Sequence, residues 1–439
     1  MKYIADLHTH SYYSRATAKS SCLEGFYQWA RIKGINLVGT GDFTHPKWRD
    51  EIGKKCVIDS DGFLTLKKPP RDLPQGFEES QVKTEEIPVR FVLSAEISSI
   101  YKKGDKTRKI HNILFAPSLE AADRISKKLL SLGANLTSDG RPILGLSAKD
   151  LLEITLEADD QAYLVPAHVW TPWFSLFGSK SGFDSIEDCF EDLTPHIFAL
   201  ETGLSSDPPM NRLWSKLDQY TLISNSDAHS PQKLGREANV FDTEFTYSGM
   251  FKALKTRKGF LGTYEFYPEE GKYHFDGHRK CNIVLDPLES KKLNGICPLC
   301  HKPLTLGVAH RVYELSDRKK EASMDETPFK YLIPLPEVVS EILGKGPSSK
   351  TVQSFYARLI HSFGSEFNML LHAPLDEVES KAGALWKEAM KKMRTGKVNP
   401  KAGYDGEFGV IRVFDDQELD KLKGQESFFK ASALKKKAP

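Results

Sequence analysis

Cysteine is scarce: the chain has six in 439 residues, too few and too unevenly spread for a disulfide framework. Cys281, Cys297 and Cys300 fall close together, while Cys22, Cys56 and Cys189 are scattered. That distribution points to a reducing compartment with one metal cluster. Long apolar runs are missing too. Nothing approaches the roughly 18 residues of a membrane-spanning helix, and the opening MKYIADLHTHSYYS has no signal-peptide core. The expected setting is cytoplasmic, with no membrane partner. Nor is there an excess of one charge. The 61 basic and 59 acidic residues leave a net +2, so any surface for nucleic acid must be local. A composition of 40% hydrophobic and 27% charged residues excludes a disordered or fibrous chain.

What is present is an alternation of strands and helices. Short β-branched runs occupy 2–8, 35–42, 89–96, 109–115, 162–168, 197–201 and 221–227, with helical stretches such as LEGFYQWARIKG between them. The pattern predicts an α/β architecture, a parallel sheet or barrel. Seven strands suit a (β/α) barrel one unit short of eight. His8, Asp42, Glu96, His168, Glu201 and Asp227 lie at or beside the C-terminal ends of these runs, with His111 inside its own. Barrels carry their chemistry on that rim, whereas a doubly wound sheet would concentrate it at one switch point. Residues 44–88 read as a loop insertion on the rim. The expected divisions are a barrel over 1–265, a cysteine module over 268–318, a helical region over 319–400, and a C-terminal segment over 401–439 with a flexible Lys-rich tail. Val352, Phe355, Tyr356, Leu359, Ile360 and Phe363 recur at helical spacing after Ser348 and Ser349 as caps.

His8-Thr-His10 puts two imidazoles on one side of an extended segment. Glu96, His111, His168, Asp227 and His229 can join them from other strand ends. Imidazole with carboxylate suits Zn²⁺, Mn²⁺ or Fe²⁺ better than Mg²⁺ alone. Two or three such ions held close together are a common device for in-line attack on a phosphodiester.

DLHTH, a glutamate-bearing strand, a central Ala-His and the late Ser-Asp-Ala-His together resemble the polymerase and histidinol phosphatase (PHP) domain. The resemblance implies a distorted seven-stranded barrel with a multinuclear metal site. It assigns His8, His10, Glu96 and Asp227 to a first ion, and Glu96, His111 and His168 to a second. His229 and Asp42 would serve a third, with His45 or Ser14 completing it, because Phe43 stands where the family carries histidine. Longer stretches resemble endonuclease Q: AHVWTPWFSLFGSKSGF (167–183), LETGLSSDPPMNR (200–212), SNSDAHSPQKLGREANVFDTE (224–244) and GYDGEFG (403–409). That resemblance covers nearly the whole chain. It implies a DNA repair endonuclease, nucleoid-associated, that binds damaged DNA. Such an enzyme cuts 5′ of uracil, hypoxanthine, xanthine and abasic sites and leaves a 3′-hydroxyl and a 5′-phosphate. Asp227, His229 and Glu96 would be its catalytic residues, with two or three divalent ions (Zn, Mn or Mg).

His278-x2-Cys281 followed by Cys297-x2-Cys300 has zinc-ribbon spacing and predicts one structural Zn²⁺. His274 and His301 are alternative ligands in the two knuckles. Candidate DNA contacts are Lys102, Lys103 and Arg108 around a Gly-Asp hairpin tip, Trp170 and Trp173 just after His168, and Arg236. Gln425 to Phe429 resembles a motif by which replication proteins bind the sliding clamp. Competing readings are a PHP phosphatase or 3′–5′ exonuclease, a zinc amidohydrolase, and a non-catalytic nucleic-acid-binding protein.

Overall fold

The computed structural model describes residues 1–77, 88–319 and 328–424. Seven strands form a distorted barrel: β1 (Lys2–Asp6), β2 (Leu37–Gly39), β3 (Arg90–Lys103), β4 (Lys106–Ala116), β5 (Tyr163–Pro166), β6 (Ala199–Glu201) and β7 (Thr221–Ile223). Each overlaps one of the seven runs anticipated from sequence, with β3 and β4 longer than their runs 89–96 and 109–115. β1, β2 and β3 pair in parallel, as do β6 and β7. β4 is the exception to an all-parallel expectation. It is antiparallel to both β3 and β5. The cause is the tight Gly104-Asp105 connection, which folds β3 and β4 into one long hairpin instead of a helical crossover. Among the described residues no ladder joins β5 to β6 or β7 to β1. Hydrogen bonds beyond the strand ends close those gaps: Val169 N to Glu201 O at 3.0 Å and His10 N to Ala228 O at 3.0 Å.

Tyr3, Ala5, Leu7, Leu37, Val92, Ile113, Phe115, Val165, Ala199 and Ile223 fill the barrel, all buried. Helices coat the outside. α1 (Leu23–Lys33) buries Phe26, Trp29, Ala30 and Ile32 and ends at left-handed Gly34. The 44–88 stretch is not a plain loop. Pro46–Lys55 is a helix with proline in its first turn and with Trp48 and Ile52, four residues apart, buried. Cys56–Ile58 and Leu64–Leu66 then form a hairpin on the sheet edge. Residues 78–87 lie outside the described residues.

β8 (Ala238–Asp242) and β9 (Phe260–Glu265) extend the sheet beyond β1. A small cysteine module follows, with hairpin β10 (Asp276–His278) and β11 (Ile283–Leu285) and helix α2 (Val308–Leu315). The chain then returns to the barrel sheet as β12 (Phe329–Tyr331), parallel to β9. Further on lie the C-terminal helices: α3 (Leu335–Leu343), α4 (Lys350–Phe363), α5 (Leu375–Ala382) and α6 (Ala384–Arg394). Ser349 caps α4, its hydroxyl accepting from Val352 N. Lys33 of α1 is tied to this region by a buried ion pair with Glu366 at 2.6 Å. The segment after α6 does not stand alone: Tyr404 bridges Phe275, and Asp405 accepts from Arg279 N and Thr305 Oγ1 in the cysteine module. Among the described residues no helix is long and apolar enough to cross a membrane. The clamp-like stretch Gln425 to Phe429 and the Lys-rich tail lie outside the described residues.

Candidate active site

Strand ends deliver the histidines and carboxylates to one rim of the barrel. His8 and His10 follow β1, Glu96 and His111 lie on the paired strands of the β3–β4 hairpin, Glu96 facing Ile113 and His111 facing Ser98, His168 follows β5, and Asp227 follows β7. Asp42, His168 and Asp227 are left-handed at φ 53°, 29° and 48°. Such a conformation is costly for a side-chain-bearing residue and turns each functional group back over the barrel mouth. Gly203 makes room, since a Cβ there would lie 2.6 Å from His168 Cβ.

Glu96 is the hub. Its Oε2 lies 3.2 Å from His10 Nε2 and 3.6 Å from His8 Nε2, and Asp227 Oδ1 lies 2.9 Å from the same His10 nitrogen. Its Oε1 lies 2.5 Å from His111 Nδ1 and 3.1 Å from His168 Nε2. One carboxylate thus gives an oxygen to each of two groups, His8/His10/Glu96/Asp227 and Glu96/His111/His168, whose ligand atoms lie within 4.8 Å of one another. His8 Nε2, His10 Nε2 and Asp227 Oδ1 are buried and make no hydrogen bond. Buried polar atoms are rarely left so. Three of them converging, with a mixed imidazole and carboxylate donor set, fit a divalent cation.

The electrostatics agree. Burial would lower the imidazole pKa of His8, but Glu201, Glu96 and Asp227 outweigh it and hold it well above its ordinary value. His10 is likewise raised against burial, by Asp227, Asp42 and Glu96. Burial opposes ionisation of Glu96, yet His111, Arg141 and His8 pull it well below the usual carboxylate range. Asp227 is also drawn low against burial, by His8 and His10. Burial wins at His111 and pushes it down to about 4, leaving a neutral imidazole suited to coordination. The cluster therefore favours ionised carboxylates and attracts positive charge.

A second layer of side chains fixes the ligands. Glu201, buried at the end of β6, holds His8 Nδ1 at 3.0 Å and accepts from His168 N and Asn225 Nδ2. Asp42 holds His10 Nδ1 at 3.2 Å through Oδ1, while its Oδ2 accepts from Ser11 N, Ser11 Oγ and Ser14 Oγ. Asp6 braces the loop that carries Asp227, accepting from Ser226 N, Ser226 Oγ and Gly235 N. Asp42 and His229 stand outside both ligand groups. His229 donates through Nδ1–H to the Asp227 carbonyl oxygen, 2.8 Å away, and packs its ring 4.6 Å from that of His10. Ser14 Oγ is committed to Asp42, and His45 faces Thr137 O and Tyr13.

Sequence reasoning missed Arg141, whose guanidinium contacts Glu96 Oε2 at 3.1 Å, and the orienting role of Glu201. Position at a strand end signalled Glu201. Arg141 lies in a turn, SDGRP, with no periodic signal.

In the cysteine module His278, Cys281, Cys297 and Cys300 bring their ligand atoms within 4.8 Å of one another. Despite burial, the backbone N–H groups of Cys300 and Leu299 draw the Cys297 thiol down to about 6, toward the thiolate a metal needs. His274 and His301 are not in this group. The module rests on the loop after His168: Arg311 of α2 donates to the Phe177 and Phe183 carbonyls, and Tyr273 meets Trp173 edge-on.

The DNA-contact candidates divide. Trp170 is core, fully buried against Phe177 and Trp214 and donating to Asn211. The indole completes the packing under the loop and cannot reach a ligand. Trp173 is 43% exposed. Lys102 is exposed at the hairpin tip, whereas Lys103 pairs with Glu191, and Arg108 covers the Phe183 ring and donates to Gly182 O. Arg236 lies over Phe266 and lines a cavity of about 340 Å³ with Lys33, Gln232, Lys233 and Gln353.

Fold and site together define a mixed α/β barrel protein with a candidate dinuclear metal site, a cysteine-ligand module and C-terminal helices. Residues 334–397 match the family model described as the MJ0043 C-terminal domain. The chain is 36% identical over 274 residues to uncharacterised protein MJ0043 of Methanocaldococcus jannaschii, which covers 60% of this chain and 34% of that protein's length. Its structure resembles that of the lesion-specific endonuclease PfuEndoQ from Pyrococcus furiosus, with TM-score 0.80, 30% identity, and coverage of 96% of this chain and 99% of the other. A complex of endonuclease Q with a 27-mer duplex substrate carrying an abasic lesion at the active site gives TM-score 0.80 at 31% identity, over 95% and 98% of the two chains. The chain belongs to the endonuclease Q family.

Proposed function

We propose that this protein is a lesion-specific DNA endonuclease that hydrolyses a phosphodiester. The observation that carries the reading is near full-length similarity to endonuclease Q, including the complex with lesion-bearing duplex, together with a shared-carboxylate site suited to two cations. His8, His10, Glu96 and Asp227 would hold one ion, and Glu96, His111 and His168 the other. Bound there, divalent ions (Zn, Mn or Mg) would supply an acidified water and Lewis-acid stabilisation of phosphoryl charge. The chain's own residues do the rest. Glu201 and Asp42 fix the ring orientations of His8 and His10, and so pre-organise the donors. His229, anchored through Nδ1, keeps Nε2 free at the mouth of the site, where a leaving oxygen or a further ion can use it. His278, Cys281, Cys297 and Cys300 would hold a structural zinc that sets the loop from His168 to Phe183.

The finer reading is cleavage 5′ of uracil, hypoxanthine, xanthine or an abasic site, leaving a 3′-hydroxyl and a 5′-phosphate. End-labelled duplexes carrying one uracil, one hypoxanthine, one abasic site or no lesion test it with Mn²⁺, Mg²⁺ or Zn²⁺. The expected result is a single nick 5′ of the lesion, absent from the control and from Asp227→Ala. No nick on any lesion, with release of phosphate from monoesters instead, would sink the endonuclease reading and favour a phosphatase.

A further inference from the structure

Arg141 is the feature of the rim that metal binding does not explain. Among the described residues it is the one lysine or arginine in an ion pair with a carboxylate of the two ligand groups. Its Nη1 meets Glu96 Oε2 at 3.1 Å. Its side chain is 30% exposed, so it reaches both the hub carboxylate and solvent at the mouth. A guanidinium has five N–H donors in a planar fork, and one of these is used here.

The loop that carries it is fixed with unusual care for a surface turn. Gly140 is pressed against the site: a Cβ there would lie 2.3 Å from Asp42 Oδ2 and 2.4 Å from Ser14 Oγ. Gly140 N donates to Tyr13 O at 3.0 Å, and Ser98 N donates to Pro142 O at 3.0 Å. Asp139 Oδ1 accepts from the backbone N of both Arg15 and Arg141, at 3.2 and 3.1 Å. The backbone that carries Arg141 is therefore fixed beside the site, and the guanidinium is anchored there by its contact with Glu96.

A fixed cation among metal ligands is unfavourable once divalent ions arrive, unless an anion joins them. The substrate's phosphate is such an anion, and a guanidinium grips phosphate bidentately. We propose that Arg141 is the clamp for the non-bridging oxygens of the scissile phosphate, releasing Glu96 Oε2 to its ligand role as it does so. This deepens the endonuclease reading and rests on it. A clamp whose hydrogen bonds strengthen as phosphoryl charge builds would raise the rate of the chemical step, not only binding.

The test uses metal-loaded wild type, Arg141→Ala and Arg141→Lys. Metal content and melting temperature are measured first. Single-turnover nicking then follows on a lesion duplex whose scissile linkage is all-oxygen, or a phosphorothioate of either configuration. The expected result is unchanged metal content and a fall in rate of about 10²-fold for Arg141→Ala, with a smaller fall for Arg141→Lys. The rate penalty of one phosphorothioate isomer should also shrink in Arg141→Ala, because sulfur and mutation remove the same contact. Nicking at the wild-type rate, thio penalties unchanged in both isomers, or metal lost in step with activity would overturn the proposal; the last would make Arg141 a brace for Glu96. If wild type nicks no lesion duplex, the endonuclease reading fails separately. The clamp is then judged by the same rate comparison on bis(p-nitrophenyl) phosphate, where equal rates for wild type and Arg141→Ala would overturn it.

Discussion

At the scale of single residues, the site is governed by who holds whom. Glu201 touches two ligands, through His8 Nδ1 and His168 N, yet lies in neither ligand group. Glu201→Gln is expected to lower metal affinity by about 10–100-fold, the usual cost of losing an orienting carboxylate, as isothermal titration with Mn²⁺ or Zn²⁺ would show. Far from the ligands, burial pushes Glu270 up to about 7, with Glu337 adding to the effect and Arg236 and Lys233 opposing it. The folded state then holds a proton that the unfolded chain has already lost. Stability should fall as pH rises from about 4.5 to 7, and Glu270→Gln should flatten that part of a melting-temperature profile. The histidine and carboxylate set was readable in the sequence because strand alternation and strand ends dictate where those side chains go. Arg141 was not, because nothing in a turn's composition says which way its long side chain lies. Trp170 misled for a related reason: an aromatic beside a ligand histidine can enter either the core or the cleft, and only packing decides.

At the scale of elements, the cysteine module is a clamp on the loop that follows His168. Its own core is thin, with Cys297 and Leu304 among few buried apolar side chains between 276 and 307, so a tetrahedral ion would replace packing as its organiser. Cys297→Ser, or a strong chelator, should release one equivalent of zinc and expose the 276–305 region to proteolysis, while the barrel retains its circular dichroism. A full complement of zinc in Cys297→Ser would refute this. The seven strands were legible from apolar runs, but the reversal of β4 was only half legible. Hydrophobicity does not encode strand direction. The Gly-Asp turn after Lys103 did point to a hairpin, and that hairpin forces the reversal. Pro46–Lys55 reads as loop in the sequence because its charged residues hide the Trp48–Ile52 spacing that buries one face.

For the whole molecule, the barrel and the C-terminal helices are joined by a buried charge. Lys33 and Glu366 are 3% and 4% exposed, and Glu366 also accepts from Leu335 N and Tyr356 Oη. Removing one partner strands the other: Lys33→Ala should cost roughly 3–5 kcal/mol in denaturant unfolding. The double change Lys33→Met with Glu366→Gln should cost less than the sum of the single changes. The sequence's division into barrel, module and tail did not reveal how often the chain returns. β12 rejoins the barrel sheet after the module, and residues 403–409 return to the module after the helices. Such crossings lie between segments far apart in the chain, where local composition carries no information.

The β3–β4 hairpin also limits how this chain can change in descent. Glu96 and His111 occupy its body, and the basic tip lies beyond them. Side chains alternate faces, so a single inserted or deleted residue between the tip and Glu96 in one strand would have to be absorbed as a bulge or would shift the register of Glu96 against Ile113. Residues added or lost in matched pairs at the tip leave that register intact. Relatives are therefore free to lengthen or shorten the finger in even steps and vary its charge, while the stretch that carries the hub keeps its count.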